Sequence, residues 1–593
     1  MKTTGKYICI ALALASVLSS VACTADYLDE SDYPMAPGTG DVPVLDFDGQ
    51  DAVSVSKDGG EYEFSFVANL PWMVESRASW ITVTSETRGS GGTDPVKVTF
   101  SVTRNASIDP REGEIRVWIT DDAEHIVKVA QEATPIQELG NSWYVKADGT
   151  GDGSSWESPT TLSNALAAAV DNDKIYVAAG IHYPTNMIAG GSQAKDNTFY
   201  VSSNVSITGG FPADAKEGDV SDPEKNVTVL SGDIEDGPTY HVMVVAAPKS
   251  DVFSVNVEGV TITGGLANTS AQTITVNGAA VHRSYGAGVV VGNSNATFSG
   301  CIICGNESPG FNAGVYNTGG SVTRLENCLI EDNESGGNGC AVWNAATIYM
   351  DGCTVQNNTN TGVGCGLYNF DNGSPVSAYV YNTAFLSNRT DGSRNSRRGG
   401  GFYGRESSRT VMVNCTFDGN FGGNGAAVAL YGTAAAPSEL TMVSCTVTGN
   451  ESMFVGGGVE AGDYTTLNVY NSVISGNTDT GGYPDLVVTS SNNGTSALPA
   501  VLSYSINGAV VYGKDKTVVS GTSFDFSTML GALNDGVRAL AGENNPAMTY
   551  GMPPQELAAV SAGMTPDIDA EVLAEDQKGN IRSGNVMGAY VGD

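Results

Sequence analysis

The chain has 593 residues, of which 74 are glycine and 22 are proline, and 41% of the chain is apolar. This length is enough for two or more domains with an extensive core. The formal net charge of −36 argues against a nucleic-acid partner, because binding to phosphate requires a basic surface.

The amino terminus has the pattern of an export signal. Lys2 and Lys6 precede an apolar run at 7–18, which is too short to span a membrane as a helix. Ala22 stands directly before Cys23, an arrangement that resembles the lipobox of bacterial lipoproteins. The resemblance implies that residues 1–22 are a cleaved signal peptide and that Cys23 receives lipid.

Residues 23–41 are acidic and contain proline and glycine, a composition that predicts a flexible tether. Their first eight residues, CTADYLDE, resemble the export tag of Bacteroidota surface lipoproteins. This resemblance implies a protein that is lipid-anchored in the outer membrane and faces the cell exterior.

Residues 42–133 contain short segments in which apolar and polar residues alternate, such as EYEFSF, WITVTS and GEIRVWIT. Short strands at this spacing predict a β-sandwich of immunoglobulin-like size. Trp72 and Trp80 are candidates either for the core or for a ligand platform. The characteristic residues of the segment are 70–72, 80–83, Asn105, 111–113 and 129–131. Through them the segment resembles a BACON domain, which implies a module that binds glycan or acts as a spacer.

The second predicted domain covers residues 141–593, and a short helix is expected near its start. Thr161 is a suitable N-cap for this helix. Such a helix covers the open apolar end of a coiled sheet. Its apolar face is formed by Leu162, Ala165, Leu166 and Ala169.

One short pattern then occurs seven times, each copy ending in an apolar residue, two variable residues and asparagine. Successive copies are 25 to 32 residues apart, which is the period of a solenoid. Valine, isoleucine, threonine and aromatic residues dominate and no helical period is present, so the sequence predicts a right-handed parallel β-helix. The terminal asparagines are Asn306, Asn333, Asn358, Asn388, Asn420, Asn450 and Asn477.

Each copy predicts one bend of a coil. Two inward apolar residues are separated by an odd number of positions, which requires a corner between them. The terminal asparagines are expected to form a hydrogen-bonded ladder and to adopt the left-handed conformation. The corner residues are Gly300, Asn327, Gly352, Asn382, Asn414, Ser444 and Asn471, and small buried residues follow at Cys301, Cys328, Cys353, Thr383, Cys415, Cys445 and Ser472.

Several segments beside the repeats resemble a large family of bacterial surface β-helix proteins. They are the opening at 143–185, the turns at 207–211 and 230–234, and the endings at 576–582 and 587–590. The repeats also resemble those of pectate-lyase-like proteins and of the polymorphic outer-membrane proteins of chlamydiae. This resemblance implies the fold but no activity, because the family has no single reaction.

Eight cysteines lie between Cys301 and Cys445. Five of them occupy the position that directly follows the corner residue. Thr383 and Ser472 occupy the same position in the other two copies, so it requires a small buried group. Free thiols in a ladder and one or more disulfides both stay open. No metal site is predicted, because no histidine lies near these cysteines.

A second repeated motif predicts a candidate binding surface. It reads AGVYN at 313–317, CAVWN at 340–344, CGLYN at 365–369 and GGFYG at 400–404. The third residue of each copy is apolar and should point inward, so the fourth should point outward. An exposed aromatic column would contact sugar rings, whereas a ladder that only stabilises the sheet is the alternative. The aromatic residues are Tyr316, Trp343, Tyr368 and Tyr403.

Six arginines lie within residues 389–409, although the whole chain has only 29 basic residues. Guanidinium groups bind carboxylates or sulfates through two parallel hydrogen bonds. Arg397, Arg398 and Arg405 are therefore candidates for binding an acidic glycan. A loop that offsets local acidity is the alternative.

These patterns favour a cell-surface lipoprotein that binds extracellular carbohydrate, or acts as an adhesin, through its β-helix. A polysaccharide lyase or other glycan-degrading enzyme is one alternative, but the carboxylate pairs or base-and-cation sets that such enzymes use are not evident. A structural spacer is another. Catalytic residues are unassigned, no cofactor is predicted and Ca²⁺ stays open. The expected partners are an extracellular glycan or a host surface, and the membrane through the lipid alone.

Overall fold

A computed structural model describes most of the chain, and the predicted signal peptide, the tether and Cys23 lie outside the described residues. The chain divides into two compact units, residues 1–136 and 137–593. Within its described part no helix is both long and apolar enough to cross a membrane. The described residues are 42–47, 51–105, 110–120, 122–133, 140–249, 255–269, 273–488, 501–503, 506–507, 510–512, 530–534, 537–540, 575–580 and 589.

The first unit is a β-sandwich, as the sequence predicts. Alternate residues of strand Arg111–Thr120 are buried, which is the pattern of a strand with one face on the core. Phe64 of one sheet and Val117 of the other share a single apolar core. One sheet comprises Leu45–Asp46, Gly60–Ala68, Val96–Val102 and Ile81–Val83, and the other comprises Ala52–Val55, Ala123–Gln131, Arg111–Thr120, Trp72–Ser76 and Arg88–Gly89.

The two tryptophans named as alternatives both support this core. Trp72 is only 6% exposed and stacks edge-on against Phe66, with ring centroids 5.2 Å apart. Trp80 is half-buried and packs against the same core, with the guanidinium of Arg111 4.3 Å from its ring centroid. The structure therefore favours the core interpretation for both residues.

The second unit is a parallel β-helix, which confirms the predicted fold class. Successive coils add strands to parallel sheets, which we number 1 to 4 in the order that the chain visits them. The first strand of sheet 3 occurs only at Glu307. Two antiparallel hairpins, Thr273–Val276 with Ala279–His282 and Leu530–Asn534 with Val537–Leu540, complete the described strands.

The strand bounds of the four sheets are as follows. Sheet 1 comprises Ser142–Val145, Lys174–Ala178, Ser206–Phe211, Val255–Glu258, Asn295–Ser299, Val322–Glu326, Thr347–Asp351, Val376–Tyr381, Ser408–Val413, Ser438–Val443, Thr465–Tyr470 and Val501–Ser503. Sheet 2 comprises Gly180–His182, Thr228–Ser231, Val260–Thr263, Ile302–Cys304, Leu329–Glu331, Thr354–Gln356, Ala384–Leu386, Thr416–Asp418, Thr446–Thr448, Val473–Ile474 and Ile506–Asn507. Sheet 3 comprises Glu307–Ser308, Glu334–Ser335, Thr359–Asn360, Arg389–Thr390, Phe421–Asn424, Glu451–Val455 and Thr478–Asp479. Sheet 4 comprises Phe199–Val201, Met243–Val245, Val289–Gly292, Val315–Thr318, Val342–Asn344, Leu367–Asn369, Phe402–Arg405, Val428–Tyr431, Val459–Ala461, Leu486–Val488 and Val510–Tyr512.

The predicted helix is present at Leu162–Ala168, between the first two strands of sheet 1. The side chain of Thr161 caps it by accepting a hydrogen bond from the backbone N–H of Asn164 at 3.3 Å. Leu162 and Leu166 are buried in the core of the β-helix. A 3-10 turn lies at Ala194–Asp196.

The predicted corners are confirmed, since all seven corner residues have positive φ. The small residues that follow them are buried, and the eight described cysteines are free. Thr383 stands where most copies have cysteine, and its hydroxyl accepts a hydrogen bond from the backbone N–H of Cys353 at 3.3 Å.

The asparagine ladder is also confirmed. Asn333, for example, donates from Nδ2 to Oδ1 of Asn358 at 3.0 Å. The expectation that these asparagines adopt the left-handed conformation is wrong, because the turn is made one residue earlier and leaves the asparagine side chain pointing inward. The residues with positive φ at this turn are Gly305, Asp332, Asn357, Ser387, Gly419, Gly449 and Gly476.

The described part of the predicted closing segment contacts the side of the β-helix. Asn414 donates from Nδ2 to the carbonyl oxygen of Glu575 at 3.0 Å, and Thr416 donates to Oε1 of Gln577 at 2.6 Å. The backbone N–H of Ala589 donates to Thr446 at 2.9 Å. The described residues of this segment therefore cover the corner between sheets 1 and 2 in these coils.

Candidate functional site

The aromatic residues proposed as a binding surface do form a column on sheet 4. Tyr316 pairs in register with Trp343, Trp343 with Tyr368, and Tyr368 with Tyr403. Neighbouring ring centroids are 5.6, 5.1 and 5.6 Å apart along the column. The repeated motif thus predicts the register of these strands correctly.

The expectation that this column is exposed is wrong. Tyr316, Tyr368 and Tyr403 are 7%, 0% and 4% exposed, and Trp343 is half-buried. The column continues at Ala429, which is also fully buried. Rings in this position cannot stack on a sugar unless the residues above them move.

The covering residues come from segments outside the repeated motif. Tyr285 lies 5.5 Å from Tyr316 between ring centroids, and Phe370 lies 5.4 Å from Tyr368. Trp343 donates from Nε1 to the carbonyl oxygen of Phe370 at 2.7 Å. This hydrogen bond holds the Trp343 ring against the segment that follows strand Leu367–Asn369. Covering the rings stabilises the fold, because each Å² of apolar surface removed from water contributes about 25 cal/mol.

Two of the three candidate arginines close the column instead of facing a ligand. Arg398 donates to both carboxylate oxygens of Glu460, at 2.7 and 3.3 Å. Glu460 is 1% exposed and also accepts from Nδ2 of Asn424 at 3.0 Å. The guanidinium of Arg398 lies 5.4 Å from the ring centroid of Tyr431. This arginine therefore neutralises a buried carboxylate.

Arg405 has a similar role at the other edge of the column. Its guanidinium pairs with Glu406 at 2.9 Å and lies 4.7 Å from the ring centroid of Phe370. Arg397 is half-buried and makes no ion pair within the described residues. The structure thus brings Arg398 and Arg405 to the aromatic column, but as its internal partners.

The buried phenols are poorly suited to acid–base chemistry at neutral pH. Burial raises the pKa of Tyr368 to about 12, although the nearby Arg405 opposes this shift. Burial also raises the pKa of Tyr403 well above its ordinary value, against the effect of Arg398. Both side chains are therefore neutral at pH 7 and cannot act as phenolate bases.

A different aromatic column faces solvent on sheet 1. Arg324, Tyr349 and Tyr379 occupy the same register position in successive strands. The rings of Tyr349 and Tyr379 stack with centroids 4.9 Å apart and an interplanar angle of 20°, and the guanidinium of Arg324 lies 4.4 Å from the Tyr349 ring centroid. Arg324 is exposed and both tyrosines are half-buried.

Sequence reasoning missed this column, although a signal was present. Each of the three residues directly precedes an inward apolar residue of the seven-copy repeat, namely Leu325, Met350 and Val380. By the alternation of a strand, the residue before an inward position points outward. Aligning the repeats one position earlier would have found it.

The structure gives no indication of a metal centre in its described residues. No group of three or more histidine, cysteine, aspartate or glutamate side chains there could hold a metal ion. The buried histidine His241 donates from Nδ1 to the carbonyl oxygen of Gly286 at 2.9 Å. The role of this histidine is therefore to hold the backbone.

Comparison with known proteins supports the resemblance of the N-terminal unit. Residues 70–132 match the family described as "BACON: Putative binding domain, N-terminal". This match confirms the similarity to BACON domains that the sequence indicates. A search of curated proteins gave no match.

Two solved structures are similar to parts of the chain. A Bacteroides ovatus GH5 xyloglucanase in complex with a XXXG heptasaccharide aligns over 28% of this chain and 45% of its own length, with 13% identity and a TM-score of 0.14. The pectate lyase Pel9A aligns over 69% of this chain and 88% of its own length, with 16% identity and a TM-score of 0.38. Likenesses at this level carry no argument about activity.

Proposed function

We propose that the chain is a lipid-anchored surface protein that binds extracellular carbohydrate through the outer face of its β-helix. The observation that carries this proposal is the solvent-facing column of Arg324, Tyr349 and Tyr379 on sheet 1. Its guanidinium and phenol groups are one coil apart, about 4.8 Å. A polysaccharide that runs along the coil axis meets a hydrogen-bonding group at every coil.

The shape of the surface supports a polymer as the ligand. Small molecules bind in concave pockets, whereas this column runs from coil to coil along the outer face of a parallel sheet. Stacking between Tyr349 and Tyr379 orders both rings before a ligand arrives, so binding loses little conformational entropy. The family matched by residues 70–132 is described as "Putative binding domain, N-terminal", which supports a binding role for the N-terminal unit as well.

The anchor of this proposal is lipid on Cys23, which holds the protein to the outer membrane with its body facing the exterior. Binding to a glycan on a host surface makes such a protein an adhesin. The substitution Cys23→Ala should leave the chain soluble or unprocessed, because acyl chains supply the membrane affinity. A variant that still fractionates with membranes as the wild type does contradicts the anchor.

The binding proposal is tested with a glycan array and the soluble chain from residue 42 onward. Tyr349→Ala and Tyr379→Ala should each weaken binding to the recognised glycan by about 1–3 kcal/mol, the range for truncating an anchor side chain. Tyr183→Ala is the matched control, because Tyr183 is 47% exposed elsewhere on the β-helix. Unchanged binding in both test variants, or no glycan bound by the wild type, refutes the proposal.

A structural spacer is the second candidate function. The observation that favours it is the burial of Tyr316, Tyr368 and Tyr403, which shows that the more prominent aromatic column stabilises the coil. A chain that binds no glycan on the array but retains a rigid, cooperatively unfolding β-helix fits this alternative.

A further inference from the structure

An irregularity in sheet 3 exposes a second surface beside the arginine-rich loop that joins strand Arg389–Thr390 to strand Phe402–Arg405. This loop is called the arginine loop below. Strands Phe421–Asn424 and Glu451–Val455 have four and five residues, whereas the other five strands of the sheet have two each. Gly422 pairs with Ser452, but Asn424 pairs with Val455, so one extra residue is inserted between them. This irregularity is a β-bulge.

The bulge places two consecutive apolar side chains in solvent. Residues of a regular strand alternate between its two faces, and a bulge breaks this alternation. Met453 and Phe454 are accordingly both exposed, by 41% and 38%. Two adjacent exposed apolar residues of this size are unusual on an otherwise alternating coil, and bulges commonly redirect side chains at functional sites.

Aromatic and cationic groups continue the same surface. Phe421 is half-buried, and the guanidinium of Arg389 lies 3.7 Å from its ring centroid. Gly392 packs against the patch so closely that a Cβ there would lie 2.7 Å from Cγ of Met453 and from Cε1 of Phe421. The arginine loop is therefore held directly against the apolar residues.

The charges on this surface suit an anion. Arg389 and Arg394 are both exposed, and no carboxylate among the described residues lies within 4.0 Å of either guanidinium. Asp391 of the same loop accepts two hydrogen bonds from Ser393, at 2.9 and 2.7 Å. Glu451 follows Phe421 in register, so an acid stands at the end of the patch opposite Arg389.

We propose that Phe421, Met453 and Phe454, with Arg389 and Arg394, form a binding site for an anionic polysaccharide that carries uronate carboxylates or sulfates. The apolar side chains contact the C–H faces of sugar rings, and the guanidinium groups bind the acidic substituents. Charge complementarity selects this ligand, because Arg389 and Arg394 present exposed guanidinium groups with no carboxylate of the described residues within 4.0 Å, in a chain of net charge −36. The carbohydrate class rests on the proposed function, but the surface is separate from the column on sheet 1.

The test is isothermal titration of the full chain with polygalacturonate, and with dextran as the neutral polymer. Arg389→Gln combined with Arg394→Gln should weaken polygalacturonate binding about tenfold at low ionic strength and reduce its salt dependence. Met453→Ser combined with Phe454→Ser should weaken it about tenfold at every salt concentration. Lys174→Gln with Lys216→Gln is the matched control, because it removes the same charge from exposed positions elsewhere and should leave binding unchanged.

Each outcome decides the matter. Equal affinity for the two polymers overturns the proposal, and so does a loss in the lysine control as large as that in the arginine variant. Sedimentation equilibrium tests the other occupant, and self-association that the Met453 and Phe454 changes abolish assigns the patch to a second copy of the chain. If Tyr349→Ala and Tyr379→Ala do not weaken glycan binding on the array, but polygalacturonate still binds and depends on Arg389 and Arg394, then only the sheet 1 site is refuted.

Discussion

Asn477 donates from Nδ2 to Oδ1 of Asp485 at 3.0 Å, and its backbone N–H reaches the same oxygen at 3.1 Å. Every earlier asparagine of the ladder makes this pair of bonds to the next asparagine, as Asn450 does to Asn477 at 2.8 and 3.1 Å. An aspartate side chain has acceptor oxygens but no amide N–H donor. Asp485 therefore ends the ladder without leaving an unpaired amide.

The ladder predicts a large cost for losing one of its interior members. Asn388 donates to Asn420 at 3.1 Å and to the carbonyl oxygen of Val355 at 2.8 Å, and it is fully buried. Asn388→Ala should lower the free energy of unfolding by about 2–3 kcal/mol, because it leaves buried groups unsatisfied. Urea denaturation measures this, with the exposed Asn372→Ala as control. Equal midpoints for the two variants contradict the assignment.

The buried ion pair on sheet 4 predicts different effects for two adjacent arginines. Arg398→Ala should destabilise the protein by about 3–5 kcal/mol, since it leaves Glu460 buried without its cation. Arg397→Ala should change stability by less, because Arg397 makes no ion pair within the described residues. Thermal denaturation of both variants checks this difference, and comparable midpoints would count against the pairing.

The cysteines predict a specific labelling pattern. Burial raises the pKa of the Cys353 and Cys415 thiols well above the ordinary value, so they are unreactive in the folded protein. Denatured protein from residue 42 onward should take up eight equivalents of a maleimide, whereas the native protein should label at Cys304 alone, the half-buried member of the set. Mass spectrometry distinguishes this result from a disulfide, which would remove two equivalents.

His241 predicts how stability depends on pH. Burial lowers the pKa of His241 from 6.5 to about 4. The charges of Arg283 and His282 lower this pKa further, whereas the hydrogen bond to Gly286 and the charge of Asp196 raise it. The unfolded chain therefore binds a proton below pH 6.5 that the folded chain binds only near pH 4. The free energy of unfolding should fall over this window by up to about 3 kcal/mol.

The substitution His241→Asn isolates this contribution. Asparagine can still donate from Nδ2 to the carbonyl oxygen of Gly286 but does not titrate. Urea midpoints of both proteins from pH 7 to pH 4 should therefore show a shallower decline for the variant. Parallel curves would mean that His241 does not control this loss, since the carboxylates titrate alike in both proteins.

The sequence specified the coil well because the coil is defined by local rules. Gly300 and Asn327 could be placed at corners since an odd spacing of inward residues requires a turn. The pairing of Tyr368 with Tyr403 followed from the repeat for the same reason. Each of these statements depends only on residues within one copy of the motif.

The accessibility of the aromatic column could not be predicted from the same motif. It depends on Tyr285 and Phe370, which lie in segments of irregular length outside the repeat. The exposure of Phe454 could not be predicted either. An inserted residue shifts the register of its strand, and the spacing of apolar residues in the sequence gives no sign of this insertion. Surface chemistry is thus set by departures from the repeat.

The contacts of the closing segment have a consequence for how the chain folds. Most coils pair with a neighbour 25 to 32 residues away, so they can form one after another as the chain emerges. Asn414 and Thr416 instead find their partners Glu575 and Gln577 161 residues later. Covering of this corner therefore comes after the coils themselves can pair, and a chain truncated before residue 575 would leave the corner exposed. The two kinds of contact thus predict an order of folding in which the coils form first and the segment at 575–589 docks on them later.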